Sequence, residues 1–395
     1  MTLSQRPQPA SRSTLTVMTS SASPPLADTH LWPITATPHP SPTTPERRAE
    51  ILASPGFGQH YTDHMVRATW TTDEGWHDAE LVPYQPLTFD PATNFLHYGQ
   101  AIFEGMKAYR HADGSIWLYR PLKNAMRFNN SARRLAMAEV PEELFIGSIA
   151  ALVSADRDWV PSGGETSLYL RPFMLGTEVG LGVRPSNRYQ YLLIASPAGA
   201  YFSKGVHPVS VWLSDDYVRA APGGTGEAKC AGNYAASLIA QAEASQHGCD
   251  QVVWLDAAEH RWVEEMGGMN LYFVYGSGDQ AHIMTPALTG ALLPGITRDS
   301  LLTVAQDLGI KAEEGRISVE EWRDGCASGE ITEVFACGTA AVVTPVGQVK
   351  SRMGNWTVGN GGAGEVTMRL RQALLDIQTG AVPDRHAWMH KIIDD

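Results

Sequence analysis

Apolar and polar residues alternate over two long stretches of the chain, and the first stretch predicts a group of strands with two helices. The predicted strands are short runs rich in valine, leucine and aromatic residues, at residues 64–70, 79–84, 103–110, 115–120, 168–175 and 189–195. The turn Ala112-Asp113-Gly114 between two of these runs is typical of a β-hairpin. Apolar residues at helical spacing predict a helix over residues 122–138. A second helix is predicted to begin at Pro141-Glu142-Glu143, because proline and acidic residues are favoured in a first helical turn.

The second stretch follows a break at Ser196-Pro197-Ala198-Gly199-Ala200 and again mixes strands with helices. It predicts strands at residues 208–213, 251–255, 261–265 and 271–275, and helices at residues 234–247, 297–308, 319–327 and 364–378. A chain of 395 residues exceeds the roughly 250–300 that one hydrophobic core supports, so two domains are expected. We place a smaller N-terminal domain at residues 51–197, a connecting loop at 198–207 and a larger C-terminal domain at 208–395. The sequence has no fixed repeat, no GxGxxG directly after a predicted strand and no Walker sequence, so nothing indicates a solenoid or a nucleotide-binding fold.

The composition is that of a globular protein, with 43% hydrophobic and 18% charged residues. Acidic residues number 42 against 30 basic ones, and the net charge of -12 does not favour binding to nucleic acid or to an anionic membrane. No apolar run reaches the roughly 18 residues of a membrane helix. The cysteines Cys230, Cys249, Cys326 and Cys337 are widely spaced and form no CxxC pair. We therefore expect no metal site and no disulfide framework, and we predict a cytoplasmic protein.

Residues 1–50 differ from the rest because they are rich in proline, serine and threonine and contain no lysine. Their first acidic residue is Asp28. Such a segment buries little apolar surface, so we predict a disordered N-terminal extension. An acid-poor start that contains serine and arginine also resembles an organelle transit peptide. The high proline content and Met18, a second candidate start, argue against that interpretation.

The most informative segment is residues 223–234, which read Gly-Gly-Thr-Gly-Glu-Ala-Lys-Cys-Ala-Gly-Asn-Tyr. Its single lysine, Lys229, lies among small residues just before a helix that Asn233 could cap. A lysine partly withdrawn from water is a usable amine nucleophile, which can form a Schiff base with a carbonyl group or with pyridoxal 5'-phosphate (PLP). The same pattern also fits a solvated loop lysine whose glycines serve only turns.

Other segments carry groups that PLP would need. Glu264 and Glu265 are adjacent in a predicted strand and point to opposite faces, so only one of them can lie beside the pyridine nitrogen and keep it protonated. Residues 293–298 and 336–340 each contain a glycine turn whose backbone amides could hold a phosphate. Taken singly, these features also fit surface acids and ordinary structural turns.

Several blocks of residues, in register along the chain, resemble one family. They lie at residues 57–58, 61–65, 97–109, 169–172, 199–202, 229–234, 264–270, 293–298 and 338–340. Together they resemble the branched-chain amino acid aminotransferases of PLP fold type IV, in the longer branch that includes the mammalian enzymes. The resemblance implies a mixed α and β protein (α+β), with a smaller N-terminal α/β domain and a larger C-terminal pseudo-barrel domain that binds PLP.

The resemblance also implies how the cofactor is held. Lys229 would bind PLP as a Schiff base and then act as the base that moves the proton. Glu265 would pair with the pyridine nitrogen, and Tyr234 would hydrogen-bond the 3-oxygen of the ring. The phosphate would be held by Arg127, the backbone amides of Ile296 and Thr297, and Thr339.

For the substrate, the resemblance implies that Tyr98 and the backbone of Gly268 and Ala340 receive the α-carboxylate. The walls of an apolar side-chain pocket would be Phe57, Phe103, Tyr169 and Tyr201. Such a pocket discriminates one methylene by only ~1–3 kcal/mol, so valine, leucine and isoleucine should all be accepted. Arg171 would bind the second carboxylate of glutamate, because a guanidinium binds carboxylates bidentately. The loop Leu181-Gly182-Val183 of a partner subunit would close the pocket, which implies an obligate homodimer.

The predicted function is therefore reversible transfer of the amino group of L-leucine, L-isoleucine or L-valine to 2-oxoglutarate by a ping-pong mechanism. Alternatives of the same fold are an aminodeoxychorismate lyase, which releases pyruvate, and a D-amino acid aminotransferase. The chain length and the block Phe103-Glu104-Gly105-Met106-Lys107 favour the branched-chain group. A binding protein without catalysis would require Lys229 to be idle, and nothing in the sequence indicates this.

Overall fold

Two β-sheets of nine strands each form the framework of the protein across residues 31–199 and 205–394, the parts that the structure describes. The structure is a computed structural model. In chain order, the strands are β1 (Thr35–Ala36), β2 (His64–Thr71), β3 (Gly75–Pro83), β4 (Ala101–Phe103), β5 (Met106–Arg110), β6 (Ile116–Tyr119), β7 (Ser167–Gly176), β8 (Arg188–Ala198), β9 (Val209–Leu213), β10 (Gln251–Leu255), β11 (Val263–Met266), β12 (Met269–Tyr275), β13 (His282–Pro286), β14 (Lys311–Gly315), β15 (Ile331–Gly338), β16 (Val342–Ser351), β17 (Gly354–Thr357) and β18 (Met389–Ile393). The helices are α1 (Pro45–Ala53), α2 (Asn94–Tyr98), α3 (Pro121–Arg134), α4 (Glu142–Ala155), α5 (Ala231–Gln246), α6 (Ile296–Asp307), α7 (Val319–Ser328) and α8 (Glu365–Gln378). No helix of the described residues is long and apolar enough to span a membrane.

The first sheet has the strand order β1-β3-β2-β8-β7-β5-β6-β18, with β4 paired to β7. Its pairs are antiparallel apart from β1 with β3. The predicted hairpin is confirmed, because Arg110 of β5 lies opposite Ile116 of β6. Phe128 of α3 and Phe145 of α4 pack against Tyr191 of β8, so the two helices cover one face of this sheet.

The second sheet contains a closed ring of strands in the order β11-β10-β9-β16-β15-β12 and back to β11. Strands β13 and β14 extend it from β12, and β17 extends it from β16. Leu271 and Phe273 of β12 belong to one hydrophobic cluster with Trp322 of α7, whereas Tyr272 and Val274 belong to another with α6 and α8. Successive side chains of β12 are thus buried on both faces. The barrel expected for the C-terminal part is present, and the mixed α and β fold is confirmed.

Capping residues explain where several helices begin. Thr44 caps α1 and is followed by Pro45 in the first turn, and Ser318 forms a capping box with Glu321 at the start of α7. The prediction that Asn233 caps α5 is wrong, because α5 begins earlier and Cys230 occupies the N-cap position. The Asn233 amide instead donates to the carbonyl oxygens of the preceding loop, at 2.7 Å to Thr225 and 2.8 Å to Ala228.

The prediction of disorder for residues 1–50 is wrong for residues 31–50. Strand β1 pairs with β3, and α1 begins in the same region. Trp32 and Ile34 pack against the core of the first sheet, and the Trp32 amide donates to the Glu143 carbonyl at 3.3 Å. This burial of apolar surface offsets the entropy of ordering the segment. Residues 1–30 lie outside the described residues.

The predicted break at residue 196 also differs from the structure, because β8 continues through Ala198, which lies opposite Ser167 of β7. Of the connecting loop predicted at 198–207, residues 200–204 lie outside the described part of the chain. Strand β18 falls within the range predicted for the C-terminal domain, yet it pairs with β6 of the first sheet. The domain boundaries at 51–197 and 208–395 stay a prediction.

Candidate active site

A cleft with about 1110 Å³ of open space is lined by residues of both sheets. The residues predicted for the site that line it are Phe57, Phe103, Arg127, Tyr169, Arg171, Lys229, Tyr234, Gly268, Ile296, Thr297, Thr339 and Ala340. The structure therefore brings together residues spread from Phe57 to Ala340. Tyr201 lies outside the described residues. Tyr98, Leu181 and Val183 lie elsewhere on the surface, as described below.

Lys229 is held in the cleft by its backbone. Its amide donates to Ser131 Oγ at 2.9 Å, and its carbonyl accepts from the Phe103 amide at 3.0 Å. Both contacts join the residue just before α5 to the first sheet and α3, so the position of the lysine is fixed while its side chain enters the cleft. The Lys229 ammonium donates to Tyr234 Oη at 2.8 Å and lies 4.8 Å from the centre of the Phe103 ring.

Glu265 and Glu264 occupy opposite sides of β11, as expected for adjacent strand residues. Glu265 is 2% exposed, accepts from the Leu293 amide at 2.6 Å and lies 3.1 Å from Arg219 Nε. Burial raises the pKa of Glu265, and Arg219 and the Leu293 amide oppose that rise. Glu264 faces a different cavity. Of the two acids, only Glu265 is thus held in place behind the cleft by a buried cation.

Arg127 and the start of α6 form the end of the cleft that suits an anion. Arg127 is held by Glu104, with 2.7 Å from Nε to Oε1 and 2.9 Å from Nη2 to Oε2, and its Nη1 donates to the Pro294 carbonyl at 3.2 Å. Burial opposes ionisation of Glu104, but Arg127 outweighs it and holds the pKa of that carboxyl below its ordinary value. Ile296 and Thr297 are the first residues of α6, so their amides have no acceptor within the helix. These amides and the helix dipole favour a bound anion.

A tight turn between β15 and β16 forms another wall and includes Thr339 and Ala340. Lys107 of β5 reaches across from the first sheet, and its Nζ donates to the Ala340 carbonyl at 3.0 Å. Burial lowers the pKa of Lys107 to about 8. Val342, directly after the turn, has a φ of 61°, a strained value for a β-branched residue. Contacts from both sheets therefore fix the backbone of this turn.

Aromatic rings and one guanidinium line the opposite part of the cleft. Phe57 packs edge-on against Tyr169 with ring centres 4.9 Å apart, and Phe103 lies 4.9 Å from Tyr234. Arg171 lies over the Phe103 ring at 4.8 Å, and its buried Nε has no hydrogen-bond partner among the described residues. A guanidinium with a free donor beside apolar rings can bind a carboxylate that enters this pocket.

Tyr98, Leu181 and Val183 form one surface patch that is separate from the cleft of the same chain. Tyr98 Oη donates to the Leu181 carbonyl at 2.5 Å, and Tyr98 lines a pocket with Val183. Leu181 is 66% exposed and Val183 is 82% exposed. Exposed apolar side chains on a loop of this kind are typical of a surface that contacts another chain. Tyr98, which was assigned to the α-carboxylate, thus lies with the predicted partner loop rather than with Lys229.

Comparison with known families identifies the family to which this chain belongs. The family model described as amino-transferase class IV matches residues 101–349, more than half of the chain. The chain belongs to the class IV aminotransferases. A probable branched-chain-amino-acid aminotransferase of Streptomyces coelicolor is 62% identical over 90% of this chain and 97% of its own length. The branched-chain-amino-acid aminotransferase of Mycolicibacterium smegmatis is 61% identical over 91% of this chain and 98% of its own length.

Similar solved structures support the same family assignment. The T.th. branched-chain amino acid aminotransferase, determined with pyridoxamine 5'-phosphate, has a TM-score of 0.67 and 31% identity, covering 82% of this aminotransferase and 98% of that chain. The enzyme of Escherichia coli has a TM-score of 0.67 and 28% identity over 82% of this chain and 99% of its own. The chain therefore has PLP fold type IV, and PLP is its cofactor.

The residues of this aminotransferase fit that cofactor. The cleft offers an amine at Lys229, a buried carboxylate at Glu265 and an anion-binding helix start at Ile296 and Thr297. A Cβ on Gly295, just before that helix, would lie 2.0 Å from Asn270 Oδ1, so the backbone there has no room for a side chain. A Cβ on Gly105 would likewise lie 2.0 Å from Tyr169 Oη. Both glycines line the cleft, so these two close approaches leave no room for a side chain at either position.

Three residues near the aminotransferase site were not predicted from the sequence. Arg219 pairs with Glu265, Glu104 orients Arg127, and Lys107 holds the turn at Ala340. Glu104 and Lys107 lie within a block that carried the family resemblance, which is the one signal that could have found them. Arg219 has no comparable signal, because it is separated along the chain from the acid that it contacts.

Proposed function

We propose that this aminotransferase transfers the amino group of L-leucine, L-isoleucine or L-valine to 2-oxoglutarate, reversibly and by a ping-pong mechanism. The observation that carries the proposal is the cleft itself, where the Lys229 amine lies beside aromatic walls and a guanidinium with a free donor. The similarity to proteins named branched-chain-amino-acid aminotransferases, at 57–62% identity over 89–91% of the chain, supports the same substrates.

PLP, when bound, supplies an electron sink for the bonds at the substrate Cα. Lys229 would hold it covalently through Nζ, and Tyr234 would contact the 3-oxygen of the ring. Glu265 would pair with the pyridine nitrogen, and its own position is fixed by Arg219 and the Leu293 amide. The phosphate would be held by Arg127, the Ile296 and Thr297 amides, and Thr339.

Lys229 Nζ has a second task, which is to carry the proton that leaves Cα. The fixed backbone of Lys229 keeps Nζ within reach of one face of the bound substrate. Tyr234 Oη, at 2.8 Å, accepts a hydrogen bond from the Lys229 ammonium and so orients Nζ in the cleft.

The aromatic walls of the cleft and the turn at Ala340 would determine which substrates bind. Phe57, Phe103 and Tyr169 offer an apolar surface that suits an aliphatic branch, while the Gly268 and Ala340 backbone would receive the α-carboxylate. Arg171 would pair with the second carboxylate of glutamate or 2-oxoglutarate. The same pocket thus serves a neutral branch and an acidic one, as a ping-pong exchange between these substrates requires.

The proposed protein is a homodimer in which one chain completes the site of the other. Tyr98, Leu181 and Val183 are joined to one another and lie apart from Lys229 of their own chain. As an exposed apolar patch, they would close the cleft of the partner subunit. This places Tyr98 at the α-carboxylate of the partner's substrate. A cytoplasmic location is also our proposal, supported by four free cysteines.

The first experiment is an absorption spectrum of the purified holoenzyme before and after addition of L-leucine, and again after 2-oxoglutarate. We expect the visible band of the cofactor to fade with L-leucine and to return with 2-oxoglutarate, with glutamate as a product. Lys229→Ala should remove both the band change and the turnover. Release of pyruvate without an amino acceptor would instead indicate a lyase, and a spectrum indifferent to amino acids would indicate a binding protein.

A further inference from the structure

A second cavity, with about 620 Å³ of open space, shares no lining residue with the catalytic cleft. Glu264 lies on its wall, and we call it the Glu264 pocket. Trp262 and Arg316 also contribute to its lining. Its apolar surface includes Pro286, Ala287 and Leu292.

The Glu264 carboxylate is unpaired among the described residues. The residue is 7% exposed, yet among the described residues no hydrogen bond or ion pair reaches its carboxylate. Trp262 Nε1, also in the wall, is buried without a hydrogen-bond partner in the described part of the chain. Buried polar groups of this kind cost free energy unless a ligand, a water or a proton satisfies them. The nearby Asp256 does not need one, since it already accepts from four backbone amides.

An exposed cation, Arg316, lines the same pocket as this carboxylate. The Arg316 guanidinium stacks 4.0 Å from the centre of the Trp262 ring and forms no salt bridge with any described residue. Trp262 and Glu264 are two residues apart in an extended segment, so their side chains point to the same face, with Cα atoms about 7 Å apart. A negative group and a positive group, neither paired with another described residue, therefore line the same cavity.

We propose that the Glu264 pocket binds a free aliphatic α-amino acid as a zwitterion, separately from the catalytic cleft. The ammonium pairs with Glu264, the carboxylate takes the bidentate guanidinium of Arg316, and the side chain packs against Pro286, Ala287 and Leu292. A simple amine leaves Arg316 unpaired, and a simple carboxylate leaves Glu264 unpaired. The proposal concerns binding alone and holds whatever reaction the catalytic cleft performs.

Calorimetric titration with L-leucine tests the proposal. The holoenzyme is first converted to its pyridoxamine 5'-phosphate form, to which L-leucine cannot give its amino group. The catalytic cleft is then saturated with 4-methylvalerate, which has the shape of leucine without the amino group; 4-methylvaleric acid is present in one solved relative. We expect one L-leucine to bind per chain. Glu264→Gln and Arg316→Met should each weaken this binding at least tenfold, the loss typical of one charge-assisted contact.

Glu330→Gln, at an exposed position outside both cavities, is the matched control and should bind L-leucine like the unaltered protein. Turnover of each variant with L-leucine and 2-oxoglutarate shows that it is folded. The absence of saturable heat in the unaltered protein would overturn the proposal, as would equal binding by the Glu264 and Arg316 variants and the unaltered protein. Binding of 3-methylbutylamine as tightly as L-leucine would also overturn it, because Arg316 would then have no role.

Discussion

The adjacent residues Glu264 and Glu265 show how one position in a strand separates two chemical roles. Both are acidic, both are buried, and they differ in what they face. Glu265 has Arg219 and the Leu293 amide as partners behind the catalytic cleft, whereas Glu264 has none among the described residues and faces another cavity. The functional difference between them comes from the strand alternation and not from residue type.

The first prediction is that Glu265→Gln lowers kcat on the order of 10²-fold, the loss typical of removing one electrostatic contact to a reacting group. Glu264→Gln is the matched control and should leave kcat unchanged, because Glu264 lies outside the catalytic cleft. Steady-state kinetics with L-leucine and 2-oxoglutarate measures both variants. A loss of kcat at Glu264 with none at Glu265 would show that the wrong acid has been placed at the cofactor.

The second prediction concerns the pH dependence of stability. Burial raises the pKa of Glu264 from 4.5 to about 7, with further contributions from Glu265 and Asp256 that Arg219 opposes. The folded protein therefore holds this proton more tightly than the unfolded chain, and the stability contribution of Glu264 falls as pH rises from about 4.5 to about 7. Glutamine does not titrate. We expect Glu264→Gln to match the unaltered protein at pH 5 and to be more stable by about 1–2 kcal/mol at pH 8.

Urea unfolding at both pH values, at one fixed concentration of protein and of PLP, checks this expectation. A difference between variant and unaltered protein that is the same at pH 5 and pH 8 would contradict it. Titration of groups that do not interact with Glu264 cancels from the comparison, because both proteins contain them.

At the scale of the element, we propose that the start of α6 and the side chain of Arg127, on α3, hold the same anion. Arg127 belongs to α3, and Glu104 holds its guanidinium in a fixed orientation. The α6 amides are fixed by the helix itself. A binding site built from two such elements depends on the orientation of the arginine as well as on its charge.

The third prediction is that Arg127→Lys raises the dissociation constant of PLP roughly tenfold, the loss of one charge-assisted hydrogen bond. Lysine keeps the positive charge, but its ammonium cannot form both hydrogen bonds to the Glu104 carboxylate and still reach the phosphate. The control is Arg133→Lys, at an exposed position on the same helix. PLP titration of the apoprotein, followed by tryptophan fluorescence, measures the affinity. Equal affinities for the two variants would remove Arg127 from the phosphate site.

Several elements near Lys229 were predictable because their signals are local. Strand β10 was predicted with its observed bounds at Gln251–Leu255, and α6 and α7 were each predicted to within about a residue. Strands β14 and β17 were missed because they are mostly polar edge strands, whose order depends on partners far along the chain. Strands β13, β15, β16 and β18 were also not predicted, although β15 and β16 are largely buried. The same reason explains Arg219 and Lys107, whose contacts join residues that no local pattern connects.

At the scale of the whole molecule, the site is divided between the two sheets of one chain and, in our proposal, a second chain. The exposed patch of Tyr98, Leu181 and Val183 does not line the cleft of its own chain. Each dimer would therefore contain two sites that share residues across the interface, and the symmetry of a twofold dimer requires both to be completed in the same way.

The fourth prediction is that two inactive variants restore activity when they form mixed dimers. Lys229→Ala lacks the lysine, and Tyr98→Ala lacks the donated tyrosine. In a mixed dimer, one site has both residues intact, so equal mixing after dissociation and reassociation should recover about a quarter of the unaltered activity. Assay of turnover before and after mixing measures this recovery.

The control mixes Lys229→Ala with Tyr234→Phe. Tyr234 lies 2.8 Å from Lys229 within one chain, so no mixed dimer regains an intact site and no recovery is expected. Failure of the Tyr98 pair to recover, like the control, would show that Tyr98 serves the cleft of its own chain.

Strand β18 pairs with β6 although most of the chain lies between them. During translation, β6 leaves the ribosome early and β18 leaves after the whole barrel has been made. Until residues 389–393 are free, β6 is the edge strand of the first sheet, and in the complete sheet β18 takes that edge. A nascent chain stalled before this point exposes the unpaired edge of β6, which favours pairing with other chains.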